Sequence, residues 1–381
     1  MTARTTTAVC LLLIALPLFA ASPLDYDNPY DRPHASEQHA IRAQAIVENL
    51  VHPWSVAFLP DGGYLITERP GRLNRITPDG RRIVLRGLPD ITTRGQGGLL
   101  DVALHPDFQD NRLIYFSYAQ GRYRRLGVAV ARARLDGDAL RNVESLFQMQ
   151  PPSNSGRHFG SRLVFDRDGL LFITLGDRGE RSRAQRLNDH AGSIVRLHDD
   201  GRIPRDNPLF AQPGARPEIW SWGHRNPQGA ALNPWTGQLW THEHGPQGGD
   251  EVNIALAGSN HGWPVITYGV NYGSGTPIGS GVRQPGMTQP LYHWSPSIAP
   301  SGMAFYNHTR FAGWQGDLLI GSLKFRQLVR LKLGGDRVIH EERLLSDQFG
   351  RIRDVRVHPD GAVYLLTDAS AGALIRLTPA R

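Results

Sequence analysis

The residues best placed to do chemistry share a register more than a motif. His158 stands just ahead of the run GSRLVFDRDGLLFITLGD, and Gln96 just ahead of LLDVALHPDF. Arg225 and Asn226 hold the same place before QGAALNP, and Arg351 and Arg353 open IRDVRVHP. Each is a polar residue at the head of an apolar, strand-like run, so a fold that repeats those runs about one axis gathers them together. Histidine ionises near neutrality, and its neutral form can take a proton from a hydroxyl at about pH 7. The arginines, joined by Lys324 of GSLKFRQL, make the gathering cationic, and planar guanidiniums match carboxylates. These residue types indicate proton abstraction beside an anionic ligand. For any one arginine the competing reading is a bridge between neighbouring sheets through Asp or Glu. With 15 histidines in the chain, only its register separates His158 from the rest.

A second stretch, EHGPQGGDEVNIALAGSNHGWP, puts a tight Gly245-Pro246 turn ahead of Asp250 and Glu251. Exposed carbonyls close to carboxylates suit calcium. The same residues also make an ordinary turn followed by a solvated acidic pair.

Behind these residues one unit recurs: an alternating apolar strand, a polar turn, then a second strand rich in Leu, Ile, Val, Tyr or Phe. Copies begin at Ser55, Asp101, Arg162, Gly229, Gly302 and Asp354. One such sheet cannot bury both of its faces alone, and radial repetition solves that. Six copies predict an all-β, six-bladed β-propeller over residues 41–381, with IRAQAIVENL closing the ring against the last copy. A pair of β-sandwiches would not explain six similar hairpins. The 42 glycines and 27 prolines among 381 residues suit short strands and turns. Two long interruptions, roughly 180–218 and 243–300, are candidate functional loops.

Residues 1–22 read as a secretory signal peptide and 23–40 as a polar, flexible lead. The only cysteine, Cys10, lies in the leader, so a mature periplasmic or secreted chain has no disulfide and is held by packing. No stable membrane insertion of that mature chain is expected. Formal charge is +7, and only Lys324 and Lys332 among 42 basic residues are lysines. Genomic base composition accounts for most of that bias. No basic tract interleaved with aromatics occurs, which argues against nucleic acid, although the field can still draw an anion into a cleft. There is no His pair spaced for zinc, no CxxC, no haem motif and no G-x-S-x-G elbow.

Taken together, RGQGGLLDVALHPDF, HFGSRLVFDRDGLLFITLGDRG, WSWGHRNPQGAALNP, EHGPQGGDEVNIALAGSNHGWP, SIAPSGMAFY, GDLLIGSLK and GRIRDV resemble one family. It is the soluble, pyrroloquinoline quinone (PQQ)-dependent aldose sugar dehydrogenases, the soluble glucose dehydrogenase-like group. The resemblance runs from about residue 42 to the C-terminus. It implies a six-bladed propeller, as the repeat count does independently. It also implies PQQ and Ca2+ as cofactors, an aldose oxidised at its anomeric carbon to a lactone, and an external electron acceptor. Matched motif by motif, His158 takes the place of the general base. Arg225, Asn226, Lys324, Arg351 and Arg353 fall on cofactor contacts, the last two on groups holding carboxylates of PQQ. Gly245 and Pro246 match carbonyl ligands of calcium, while Glu251 and His261 fall at part of a second calcium site. There this chain reads NHGWP against the family's NYGWP. Gln96, Asp177, Tyr272, Tyr292 and Trp294 are placed on the substrate side. Two other classes fit a propeller: a calcium-dependent lactone hydrolase and a non-enzymatic interaction module. A monomer and a homodimer are both compatible with the sequence.

Overall fold

The computed structural model describes residues 28–122 and 125–380, so the expected signal peptide lies outside the described residues. Six antiparallel sheets follow one another along the chain, five of four strands and one of five. The first strand of each repeat is innermost: Pro53–Phe58, Leu99–Leu104, Gly160–Phe165, Pro227–Leu232, Pro300–Phe305 and Ile352–Val357. Each touches the next around a ring, and Ile352–Val357 returns to Pro53–Phe58. This is the expected six-bladed propeller. Its closure is also the expected one, because Ala40–Leu50 pairs antiparallel with Gly372–Pro379, with Ile41 opposite Pro379. Strands from both ends of the chain thereby share one sheet.

Burial follows from the stacking of blades. Second strands such as Leu171–Leu175, Leu239–Glu243 and Val363–Thr367 are buried along their whole length, since a neighbouring blade covers each face. Outer strands are only partly covered: Ala40–Leu50 alternates exposed and buried over its first five residues and stays partly exposed beyond them. Each buried Leu or Ile contributes about 1.5–3 kcal/mol, and because Cys10 is the chain's single cysteine no disulfide can form within it, so that burial must hold the ring.

Part of the lead is packed where a flexible segment was expected. Tyr30 lies against Phe349 with ring centroids 5.4 Å apart. Glu37 reaches His340 at 2.8 Å and Arg330 at 3.5 Å. Arg330 is buried and already holds Asp317 and Glu342, so Glu37 completes an ionic network and is thereby fixed.

All six inner strands open on a register shift. A bulge adds an unpaired residue and re-aims its side chain. In three blades that residue is Trp54, Gln228 or Arg353, and all three face one cavity at the mouth of the ring. Among the described residues no helix is long and apolar enough to cross a membrane.

Candidate active site

Two families of loops reach the mouth face: those leading into the inner strands, and those joining each second strand to the third. Between them lies a cavity of about 450 Å³. Gln96, Asn226, Arg351 and Arg353 line it, so the shared register does bring these residues together. His158 is tied to the same rim, its backbone N–H donating to Gln96 Oε1 at 2.8 Å. Its φ is 50°, a left-handed conformation that costs a side-chain-bearing residue energy and is held only by its surroundings.

Those surroundings form a relay. His158 Nδ1 donates to Asp177 Oδ1 at 2.6 Å. Asp177 also accepts from Gly179 N at 2.6 Å on the same oxygen, and from Trp263 Nε1 at 2.8 Å on Oδ2. Asp177 is 0% exposed. Its carboxylate is therefore committed beneath the histidine and cannot touch a sugar, which corrects its placement on the substrate side. It fixes the tautomer, leaving Nε2 as the basic nitrogen. Burial lowers the His158 pKa first; Asp177 opposes that, and the charges of Arg225 and Arg178 add to it. The base form is thus favoured, with desolvation as the larger cause and the neighbouring cations adding to it.

The rest of the cavity carries positive charge in excess. Asp368 alone serves three partners: Arg353 at 2.9 Å, Arg351 at 3.2 Å and His52 Nδ1 at 3.0 Å. These groups hold the Asp368 carboxyl well below the usual range. Arg353 also donates to Gln228 Oε1 at 3.2 Å, and burial lowers its pKa. Arg225 donates to the His244 carbonyl at 3.0 Å and lies 5.4 Å from the Trp263 ring, with no carboxylate on its guanidinium among the described residues. Asn226 is held by Gln228 Nε2 at 3.2 Å and accepts from Gly160 N. Lys324 is exposed beside Leu323, which lines the cavity; its ammonium lies 5.2 Å from the Phe325 ring. Two guanidiniums sharing one carboxylate, with a third beside them, leave an excess of positive charge that suits an anionic ligand.

The Gly245-Pro246 turn adjoins this cavity through His244. Gly245 N donates to Asp250 Oδ1 at 2.8 Å. A Cβ on Gly245 would meet the carbonyl oxygens of Gly248 and Gly249 at 2.2 and 2.3 Å, so only glycine permits so tight a turn. Among the described residues the carbonyls of Gly245 and Pro246 accept no hydrogen bond, leaving hard oxygen donors that fit calcium. The expected second calcium site is different. Glu251 faces Glu243 across paired strands, and burial together with that charge raises its pKa well above the ordinary value. The His261 ring stacks on His224 at 4.4 Å and reaches Ser259 Oγ at 3.0 Å. No group of three or more His, Cys, Asp and Glu side chains among the described residues could hold a metal ion.

Three aromatic expectations are not met at the cavity. Tyr292 and Trp294 lie on the outer strand of the fourth blade, and both donate to Glu341 Oε2 of the fifth blade, at 2.9 and 2.6 Å. Their hydrogen-bonding atoms are thus used in joining two blades. Tyr272, 66% exposed on the long fourth-blade insertion, does not line the cavity. Conversely, His52, His244, Asp368 and Trp263 belong to the site without having been singled out. His52 had the same signal as His158, a histidine immediately ahead of an inner strand.

A family model described as glucose/sorbosone dehydrogenase matches residues 50–376. Over 345 residues the chain is 47% identical to an aldose sugar dehydrogenase of Escherichia coli (strain K12), covering 89% of this chain and 93% of that one. The apo-form crystal structure of the soluble aldose sugar dehydrogenase from Escherichia coli matches with a TM-score of 0.87 at 46% identity, over 89% of this chain and 100% of that one. The PQQ-bound form of an aldose sugar dehydrogenase from Streptomyces coelicolor matches with a TM-score of 0.74 at 25% identity, over 91% and 99% of the two chains.

Proposed function

The chain belongs to the glucose/sorbosone dehydrogenase family of oxidoreductases, and from that premise we propose that it oxidises aldoses at the anomeric carbon to lactones, with PQQ and calcium held at the mouth. The observation that carries this reading is the His158 ring, backed by the buried Asp177 carboxylate, beside a cavity whose guanidiniums outnumber its carboxylates. Arg351, Arg353 and Arg225 would hold the carboxylates of PQQ, with Asn226 and Lys324 as further contacts, and the carbonyls of Gly245 and Pro246 would hold calcium. Bound there, PQQ accepts a hydride and calcium polarises the accepting carbonyl as a Lewis acid.

The chain's own part is proton transfer and orientation. His158 Nε2 takes the proton of the anomeric hydroxyl as the O–H bond breaks, the C1–O double bond forms, and the C1 hydrogen leaves with its electron pair. Asp177 holds the ring and stabilises the imidazolium that results. Gln96, which shares the rim with His158, is placed to meet the sugar's hydroxyls. The electrons leave to an external acceptor, and the leader sequence puts this chemistry in the periplasm or outside the cell. The lactone hydrolase reading is less well supported. The acids of the inner strands, Asp101 and Asp354, are neutralised by Arg162 and Arg356, and among the described residues no carboxylate cage for a hydrolase's calcium is found.

The test is reconstitution: chain prepared without PQQ, then PQQ and calcium added, with dye reduction followed over a panel of aldoses. Activity should require both additions and vanish with a chelator. His158→Ala should lose about 10²–10⁴-fold in kcat while still titrating PQQ by absorbance. A PQQ-loaded His158→Ala enzyme with normal turnover would remove the base from this account, and failure of the chain to bind PQQ would remove the account itself.

A further inference from the structure

The mouth cavity holds a second histidine–carboxylate pair that proton abstraction by His158 does not use. His52 and His158 each stand just ahead of an inner strand, and both are left-handed, at φ 46° and 50°. Each donates from Nδ1 to an aspartate on a loop that follows a second strand: His158 to Asp177 at 2.6 Å, His52 to Asp368 at 3.0 Å. Asp177 comes from the blade of His158, whereas Asp368 belongs to the last blade and meets His52 of the first across the closure of the ring. Backbone bonds already fix His52. Its N–H donates to the Ala369 carbonyl at 2.8 Å, and its carbonyl accepts from Arg69 N at 3.0 Å. Glycine would take that φ at less cost, so the backbone gives no reason for an imidazole here.

Water access separates the two pairs. The His52 side chain lines the cavity and is 34% exposed, against 13% for His158, and its Nε2 has no hydrogen-bond partner among the described residues. His244 also lines the cavity, but its Nε2 donates to the Pro300 carbonyl at 2.6 Å and desolvation brings its pKa down to about 3. The charged groups around His52 are Asp368, Arg351 and Arg353 on the last blade and Arg69 on its own, with the Glu68 carboxylate turned to Val51 N and Arg72.

Oxidation of one aldose to its lactone releases two electrons and two protons. His158 takes the hydroxyl proton. The second leaves C1 within the hydride and comes free only when both electrons pass to the external acceptor. We propose that His52 Nε2 takes this second proton and hands it to solvent, while Asp368 stabilises the imidazolium as Asp177 does for His158. The inference rests on the dehydrogenase reading above, which puts the redox group in this cavity. A proton exit needs water within reach, and His52 is the more exposed of the two histidines backed by aspartate. With ferricyanide, which takes electrons and no protons, one aldose and two ferricyanides give one lactone, two ferrocyanides and two protons.

The test separates the two halves of the cycle. Holoenzyme is reduced with sugar in a first mix, then mixed with ferricyanide in a second, both followed by absorbance. In His52→Ala the loss should fall on the second step at least about ten-fold more heavily than on the first. Free imidazole should restore that step in proportion to its concentration, and methylated imidazoles should rescue in order of basicity rather than size. His52→Asn, which tolerates the left-handed backbone but cannot carry the proton, should show the same imbalance and guards against misfolding. On the chain without PQQ, histidine nitrogen NMR at about pH 8 should find the His52 proton on Nδ1 and a free lone pair on Nε2. Equal losses in the two steps, a second step that no imidazole restores, or a proton on Nε2 in the free chain would each overturn the proposal. If sugar reduces nothing in the wild-type first mix, the dehydrogenase reading fails and the relay falls with it. A normal first mix keeps the two questions apart.

Discussion

Asp177 accepts the Nδ1 proton of His158 and is itself fed by the Trp263 indole, so a change at either residue should reach the base without touching substrate. Asp177→Asn keeps the shape and removes the charge. The amide nitrogen would donate to Nδ1, force the proton onto Nε2 and leave no base facing the cavity, so kcat should fall about 10²–10⁴-fold. A variant with full kcat would show that the tautomer is not set here. Trp263→Phe is the subtler change. It keeps a ring between Arg225 and Arg181 but removes a donor from a buried carboxylate. The carboxylate becomes more basic and holds the imidazolium more strongly. The His158 pKa is lowered in the wild type, so activity should persist below the ordinary value of about 6.5 and fall as pH drops through the lowered one. In Trp263→Phe that acid limb should move up by roughly half a unit. An unmoved limb in kcat/KM would confine Trp263 to packing.

At the scale of elements, His158 is only as fixed as the loop that delivers it. Arg178, wholly buried, donates to the carbonyls of Arg157 at 2.6 Å and Ser155 at 2.5 Å, and its guanidinium lies 3.5 Å over the Phe159 ring. Gln96 N closes the other side on the Gly156 carbonyl at 2.8 Å. Burial brings the Arg178 pKa down to about 9, a sign of how much desolvation this clamp costs. Arg178→Met should leave two carbonyls without donors, each loss worth about 1–3 kcal/mol where buried. Amide exchange over 153–158 should quicken and kcat should drop, with PQQ affinity kept. Unchanged exchange there would mean the loop is held by something else. This also marks what was legible in the sequence. The repeat gave the six blades, the closing strand and one set of mouth residues, because a period of strands carries a register that can be read. His244 and Asp368 reach the same mouth from the loops after the second strands, which that register did not follow. Trp263 arrives on an insertion 86 residues from Asp177, and no periodicity links the two. Tyr292 and Trp294 were misplaced because they follow no inner-strand register: the outer strand that carries them lies at the edge of the disc.

The ring as a whole responds to acid through groups that no single blade can release. Each inner strand packs on two neighbours, and the closing sheet takes strands from both ends of the chain, so the blades should unfold together. His242 sits inside that unit. Its ring lies against the Gly229 backbone, neither ring nitrogen has a hydrogen-bond partner among the described residues, and burial pushes its pKa well below 6.5, helped by His244 and Arg162. A histidine whose folded pKa is depressed binds its proton more readily when unfolded. Its contribution is therefore complete above the unfolded value of about 6.5, and is lost as pH falls from there toward the folded value. In that window the histidine should cost about 1.4 kcal/mol of stability per pH unit. Chemical unfolding at a series of pH values between about 7 and 5 should show one transition whose free energy declines with acid. His242→Leu, which needs no proton excluded, should decline less steeply by about that amount, whatever its stability at neutral pH. An identical slope in the variant would mean that the buried ring is already solvated or protonated in the folded protein, and the acid response would have to be sought in the paired carboxylates instead.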